Sequence, residues 1–151
     1  MRFMIMGKAD KNTEAGGLPS KELVAAVGRY NEELRKAGVL LGGEWLQPSS
    51  KGARINSSGG KVVVTDGPFA EAKELIIGYV VVELNSMEEA IEWAKRCPTL
   101  ARDGEVEMEI RQVFEAADFP DDVLTELTRH ASAVVVRDAE EILRGRVVGK
   151  S

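Results

Sequence analysis

The apolar positions of this chain change period along its length, and the changes mark out elements. Residues 2–8 carry Phe3 and Ile5 on one side of a two-residue repeat and Met4 and Met6 on the other, which predicts a strand covered on both faces. Residues 9–19 are polar, hold Gly16-Gly17 and Pro19, and read as a loop. Ser20 is a suitable N-cap. After it Leu23, Val27, Tyr30 and Leu34 recur at helical spacing as far as Ala37, and Gly38 supplies the stop. Residues 39–46 predict a second strand containing Gly42-Gly43, a pair that in a strand signals a bulge or a close approach. Residues 53–56 and 61–65 predict a hairpin turning at Ser57-Ser58-Gly59-Gly60. Residues 75–84 form the longest strand, with Ile77, Tyr79 and Val81 against Ile76, Val80 and Val82. Ser86 and Glu89 have the spacing of a capping box, and Met87, Ala90, Ile91 and Ala94 form the stripe of a helix that stops at Cys97-Pro98. Residues 105–114 alternate Val106, Met108 and Ile110 with charged residues, the pattern of a strand with one wet face.

Beyond residue 115 the helical period returns. Asp118-Phe119-Pro120 reads as a helix start, and Val123, Leu124, Leu127, Ala131, Val134 and Val135 make the stripe. Residues 138–144 continue it and Gly145 ends it, giving one long helix or two shorter ones with a break near Val134-Val135-Val136. The expected organisation is a domain over residues 1–115 and a C-terminal helical extension over 116–151, packed on the domain or on a dimer.

Strand, helix, two or more strands, helix, strand is the α+β order of a ferredoxin-like βαββαβ unit, here with an inserted β-hairpin. In that unit both helices lie on one face of the sheet. Two strands are nevertheless apolar on both sides, and wet apolar surface invites association. A second copy of the same sheet is the simplest cover, so a homodimer held face to face is expected. The competing expectation is that the tail folds back over that face.

Composition narrows the function. The chain has 151 residues, 44% of them apolar and 30% charged, and a net charge of −5. That is enough for one real core. Acids and bases are mixed and no basic stripe exists, so nucleic acid is not an expected partner. A single cysteine, Cys97, forms no internal disulfide and suits a reducing compartment. No apolar run reaches the roughly 18 residues of a membrane span, and the N-terminal strand is too short for a signal peptide. The cytoplasm is the expected location. No Cys pair, His pair, Walker loop or dinucleotide glycine motif is present, so neither a metal nor another cofactor is expected.

The candidate chemistry gathers after residue 64. Thr65-Asp66-Gly67-Pro68-Phe69-Ala70-Glu71-Ala72-Lys73-Glu74 separates two apolar strands with far more specification than a turn needs. Gly67 can take a positive φ, and Pro68 fixes its own. Asp66 is the candidate catalytic carboxylate, an acid, base or ligand anchor at a cleft rim. Its bland alternative is capping backbone N–H groups of the turn. Gly67, Pro68, Phe69, Glu71, Lys73 and Glu74 join it as candidate ligand-binding residues, with exposed ion pairs as the alternative for the charged ones. Glu44, beside two glycines, is a further candidate for the same cleft or a plain strand end. Trp45, Phe69 and Tyr79 can wall an apolar pocket, although core or interface packing is the stronger expectation. Tyr30 belongs to the core stripe. Cys97 has no neighbouring base, and His130 lies in the tail.

Several of these motifs occur together in one family. Asn31-Glu32-Glu33-Leu34 with Ala37-Gly38-Val39-Leu40, Gly42-Gly43-Glu44 with Leu46 and Pro48, the Val64–Glu71 run with Lys73-Glu74, and Glu89-Ala90 with Trp93-Ala94 and Cys97-Pro98 stand in order. From the N-terminal strand to about Phe114 the chain resembles DGPF-domain proteins of the YCII-related group, in the dimeric α/β-barrel superfamily. The resemblance implies a ferredoxin-like fold paired into a barrel dimer, with a cleft lined in part by the Asp66 loop. Some relatives of this type use a His–Asp pair with the His on the first helix. This first helix has no His, so that dyad does not carry over. Two readings follow. One is a protein that binds a small polar metabolite near Asp66, with acid–base catalysis independent of metal and nucleotide as its possible chemistry. The other is a non-catalytic interaction or regulatory module that uses its C-terminal helices.

Overall fold

A computed structural model describes residues 1–101 and 106–129. The structure mixes helices with antiparallel sheets and carries a helix toward its C-terminal end. It falls into two units, Phe3–Arg111 and a second made of Met1–Arg2 with Gln112–Ser151.

The strands are β1 (Arg2–Lys8), β2 (Leu40–Trp45), β3 (Ala53–Ser58), β4 (Lys61–Asp66), β5 (Ile76–Glu83) and β6 (Met108–Gln112). The helices are α1 (Lys11–Glu14), α2 (Lys21–Lys36), α3 (Met87–Lys95) and α4 (Asp121–Arg129). One sheet has the order β2-β5-β1-β6, and β3 with β4 forms a separate two-stranded sheet. Local chemistry explains most boundaries. The Ser20 hydroxyl accepts the Leu23 N–H at 3.1 Å, and α2 ends before Gly38, which has a φ of +73°. Ser86 caps Glu89 N–H at 3.2 Å. The Glu89 carboxylate does not close the box on Ser86 but accepts the N–H of Asn85, one residue earlier, at 2.9 Å.

The core lies between the sheet and helices α2 and α3. Phe3, Ile5, Tyr30, Leu34, Val82 and Ala90 are all buried there. Phe3, Leu34, Val82 and Ala90 have no exposed surface at all, and each large side chain among them contributes about 1.5–3 kcal/mol. Met108 and Ile110 pack against this cluster, as their alternation with charged residues predicts. On α3 the stripe is rotated from the expected one. Ala90 and Ala94 are buried and Trp93 packs beside them, whereas Ile91 is 39% exposed. The Trp93 ring stands edge-on to Tyr30, and the Tyr30 hydroxyl donates to the Trp93 carbonyl at 2.8 Å.

Two differences from the sequence reading, at α1 and at the start of α4, have local causes. The loop before α2 contains the single turn α1, because the Asp10 carboxylate and the Thr13 hydroxyl cap each other's backbone. Strand β2 carries a bulge between Leu40 and Gly42 opposite Val82 and Val81, in line with the signal of its glycine pair. Asp118 does not start the last helix; its carboxylate accepts the Glu115 N–H at 2.7 Å, and α4 begins after Pro120. In that unit Leu124 and Ala116 are buried against Phe119 and Leu127. The expected stripe from Ala131 to Val135, the helix through 144 and His130 lie outside the described residues. Among the described residues no helix is long and apolar enough to cross a membrane.

Candidate functional site

A cavity of about 710 Å³ opens within the unit Phe3–Arg111, a size suited to a small organic molecule. Helix α2 contributes Leu23, Val27 and Tyr30 to its wall, and the sheet contributes Ile5, Trp45 and Val80. Glu14 and Leu18, from the segment before α2, also line it, as do Ser50 and Lys51 from the turn after β2. These two segments are tied together. The Glu14 carboxylate accepts the Ser49 N–H at 3.2 Å and also the Ser49 hydroxyl.

The polar groups facing the cavity differ in how far they are committed. Glu14 is engaged with Ser49. Arg35 pairs with Glu32 on the same helix at 2.5 Å, an exposed pair of small energetic weight. Tyr30 is bonded to Trp93, and burial, reinforced by the neighbouring Cys97, pushes its phenol well above the ordinary value of 10. Tyr30 is therefore a neutral hydroxyl, not a base. Glu44 and Lys51 line the cavity, are exposed, and form no ion pair among the described residues. Cys97 and Thr99 also line it, their side chains 3.2 Å apart. Among the described residues no three His, Cys, Asp or Glu side chains gather as a metal site would need.

The sequence candidates separate. Glu44 lines the cavity, and so do Trp45 and Tyr79. Among the described residues lining it, none comes from positions 66–74. Asp66 closes β4 opposite Ala53 and is exposed. Glu71, at the left-handed φ of +60°, leads into a short turn holding Lys73 and Glu74, all three exposed. The Gly67–Pro68 peptide is cis.

What the stretch does touch is the Ser49–Gly52 turn. The Gly67 N–H donates to the Gly52 carbonyl at 2.9 Å, and the Phe69 N–H donates to the Ser49 hydroxyl at 2.9 Å. The Phe69 ring lies 4.1 Å beneath the Arg54 guanidinium. Gly67 has no positive φ. It is glycine because an added Cβ would fall far inside the 3.0 Å limit of real contacts against the Ser49 carbonyl. The stretch thus stands behind the turn that lines the cavity. Turn capping by Asp66 is replaced by this arrangement: the turn's amides go to Gly52 and Ser49, and Asp66 makes no side-chain hydrogen bond among the described residues.

Sequence reading missed Glu14, Ser49 and Lys51. Lys51 sits in a Gly/Ser-rich linker, and the tie between Glu14 and Ser49 spans 35 residues.

Comparison with known proteins follows this geometry. A family model described as YCII-related domain matches residues 1–116. The uncharacterized protein R00369 of Rhizobium meliloti (strain 1021) is 35% identical over 72 residues, 48% of this chain and 56% of the relative. The chain therefore spans little more than half the length of that curated relative. A solved structure, the 5-chloro-2-hydroxyhydroquinone dehydrochlorinase (TftG) of Burkholderia phenoliruptrix AC1100 in complex with 2,5-dihydroxybenzoquinone, gives a TM-score of 0.39 at 16% identity, over 76% of this chain and 96% of that one. That likeness is too slight to bear on the site.

Proposed function

The chain belongs to the YCII-related family, and from that premise we propose that it binds a small metabolite with an apolar body and a polar end in the cavity between α2 and the sheet. The single observation carrying this reading is the cavity itself: apolar walls from α2 and the sheet, with uncommitted Glu44 and Lys51 at its lining. Lys51 faces an anionic group of the ligand, and Glu44 is the acidic group set against it. The Asp66–Phe69 stretch acts one layer behind, as a positioning element working through Ser49.

The strand order β2-β5-β1-β6 with α2 and α3 supports a ferredoxin-like βαββαβ reading in which β3–β4 is the inserted hairpin. Two copies then pair on the sheet face away from the helices. The alternation of Met4 and Met6 with the buried Phe3 and Ile5, and of Val81 with Val80 and Val82, supplies an apolar second face for that contact. One cysteine and the absence of a basic stripe favour a cytoplasmic setting with no nucleic-acid partner.

A thermal-shift screen of small carboxylates and phosphates tests the reading. A compound at about 100 times its dissociation constant stabilises by roughly 2.7 kcal/mol. In a chain of this size that raises the melting temperature by about 5–10 °C. The shift should survive Asp66→Asn and shrink in Lys51→Ala and Glu44→Gln. A screen in which no compound moves the wild type, or in which Asp66→Asn alone abolishes the shift, refutes this placement of the site.

A further inference from the structure

We infer that Leu18, carried on a short strap between α1 and α2, is the residue that closes the cavity over its occupant. This rests on the proposed binding of a small metabolite in that cavity and names what seals it. Leu18 lines the cavity, yet it is 88% exposed. Two other large apolar side chains of the lining are also wet, Trp45 at 52% and Leu46 at 45%. Such residues are ordinary when scattered. Three of them bordering one cavity make an apolar rim, which the apolar body of a ligand and a closing strap would cover together. Deeper in the same lining the apolar groups are already packed, Ile5 and Tyr30 being buried.

The backbone makes the strap. On its N-terminal side the N–H groups of Ala15, Gly16 and Gly17 fold back on α1, donating to the carbonyls of Lys11, Thr13 and Asn12 at 3.1, 3.1 and 2.9 Å. Glu14 is fixed there to Ser49. On its C-terminal side Ser20 caps α2. Between these anchors stand Leu18 and Pro19. Pro19 has no N–H to donate, and Leu18 makes no hydrogen bond among the described residues. Gly16 holds a φ of +89° and is followed by a second glycine, so the pivot carries no side chain. Leu18 can therefore turn inward with every one of these bonds kept, as a hinge of a few loop residues requires. Being exposed, it stabilises little in the free protein. Its burial against a ligand corresponds to about 10–100-fold in affinity, of which ordering the strap takes back a part. A strap that closes after entry slows release, so the gain lies in the off-rate.

The test uses anilinonaphthalene sulfonate, a fluorescent anion with an apolar body, in titrations and stopped-flow mixing with the full chain. Leu18→Ser should raise its dissociation constant about tenfold, almost all of it in the off-rate. The melting temperature without dye should stay within about 2 °C of wild type. Leu18→Met should keep the affinity within about threefold. Val24→Ser, at a half-exposed position of α2 outside the lining, should change neither. Hydrogen exchange at residues 15–18 should slow when the dye is bound. Lys51→Ala, which the binding reading itself predicts to weaken an anion, locates the dye. Weakening by Lys51→Ala with no effect of Leu18→Ser overturns the strap and leaves the cavity reading standing. Equal weakening by Val24→Ser overturns the assignment to Leu18. Weakening by Leu18→Ser with unchanged hydrogen exchange overturns closure and leaves Leu18 a fixed contact. A dye that does not bind wild type, or that is indifferent to Lys51→Ala, overturns the cavity reading and the strap with it.

Discussion

Replacing Gly67 by alanine asks whether the Asp66–Phe69 stretch is a brace. The added methyl would collide with the Ser49 carbonyl, so the two segments must separate. Separation strains or breaks two hydrogen bonds, Gly67 N–H to Gly52 and Phe69 N–H to Ser49, both 2.9 Å long. Each is worth about 1 kcal/mol net. The overpacking adds about 1–2 kcal/mol. The expected loss is therefore roughly 2–4 kcal/mol, or about 5–15 °C in melting temperature for a chain of this length. Differential scanning calorimetry on wild type and variant measures it. Gly42→Ala is the control: its φ is not positive and an added Cβ meets nothing within 4 Å, so it should stay within about 0.5 kcal/mol. Ser50 and Lys51 lie on the displaced turn and line the cavity, so ligand-induced stabilisation should fall along with the melting temperature. If Gly67→Ala melts within about 2 °C of wild type, or the control falls as far, the brace is wrong.

Asp66→Asn should leave stability within about 0.5 kcal/mol in urea denaturation, since an exposed side chain with no hydrogen bond is being changed; a loss above about 1 kcal/mol would restore the capping role. Ser49→Ala removes the hydroxyl that joins Glu14 to Phe69 and should cost about 1–2 kcal/mol by the same measurement. Tyr30→Phe loses the bond to Trp93, about 1 kcal/mol at neutral pH. Because the folded Tyr30 value is raised, wild type keeps that group's stabilisation below pH 10 and loses it as pH rises further; the gap to the variant should narrow above that point, and a constant gap would contradict the burial argument. Glu109 has the opposite sign. Hydrogen bonding to Lys8, and then to Arg111, lowers its value below the usual 4.5, so its contribution is full above that pH and is lost as pH falls through the depressed value. Melting curves of Glu109→Gln should therefore be flatter in acid than those of wild type.

The elements of this fold were written in short-range signals. Ser20, Gly38 and Ser86 act through atoms three or four residues away, and the Phe3/Ile5 and Val80/Val82 alternations depend only on strand geometry. The hairpin was equally plain, with Gly59 and Gly60 both at positive φ, +56° and +76°, as a two-residue turn requires. What escaped was any feature decided by competition between local partners. Thr13 turned a polar loop into α1, and the Glu89 carboxylate reached Asn85 where Ser86 was expected. Such choices differ by a few tenths of a kcal/mol and leave no trace in hydrophobic period.

The candidate site was legible to a smaller degree, and the reason is sequence separation. Asp66-Gly67-Pro68-Phe69 stood out because its composition exceeds the needs of a turn. That excess left ligand binding, turn capping and plain ion pairs open as readings; in the structure Gly67 and Phe69 bond to Gly52 and Ser49, 15 to 20 residues back. Ser49 in turn is held by Glu14, 35 residues earlier. No periodicity or local motif links three such segments, since the side chains of Glu14 and Ser49 and the backbone N–H groups of Gly67 and Phe69 meet only after the chain has folded. Glu44 is the exception that explains the rule: a charge set beside Gly42-Gly43 advertises an edge where backbone is bare, and it lines the cavity. A motif rich in turn residues is therefore better read first as a demand for close backbone approach, with Gly67 the residue that decides it, and only then as chemistry.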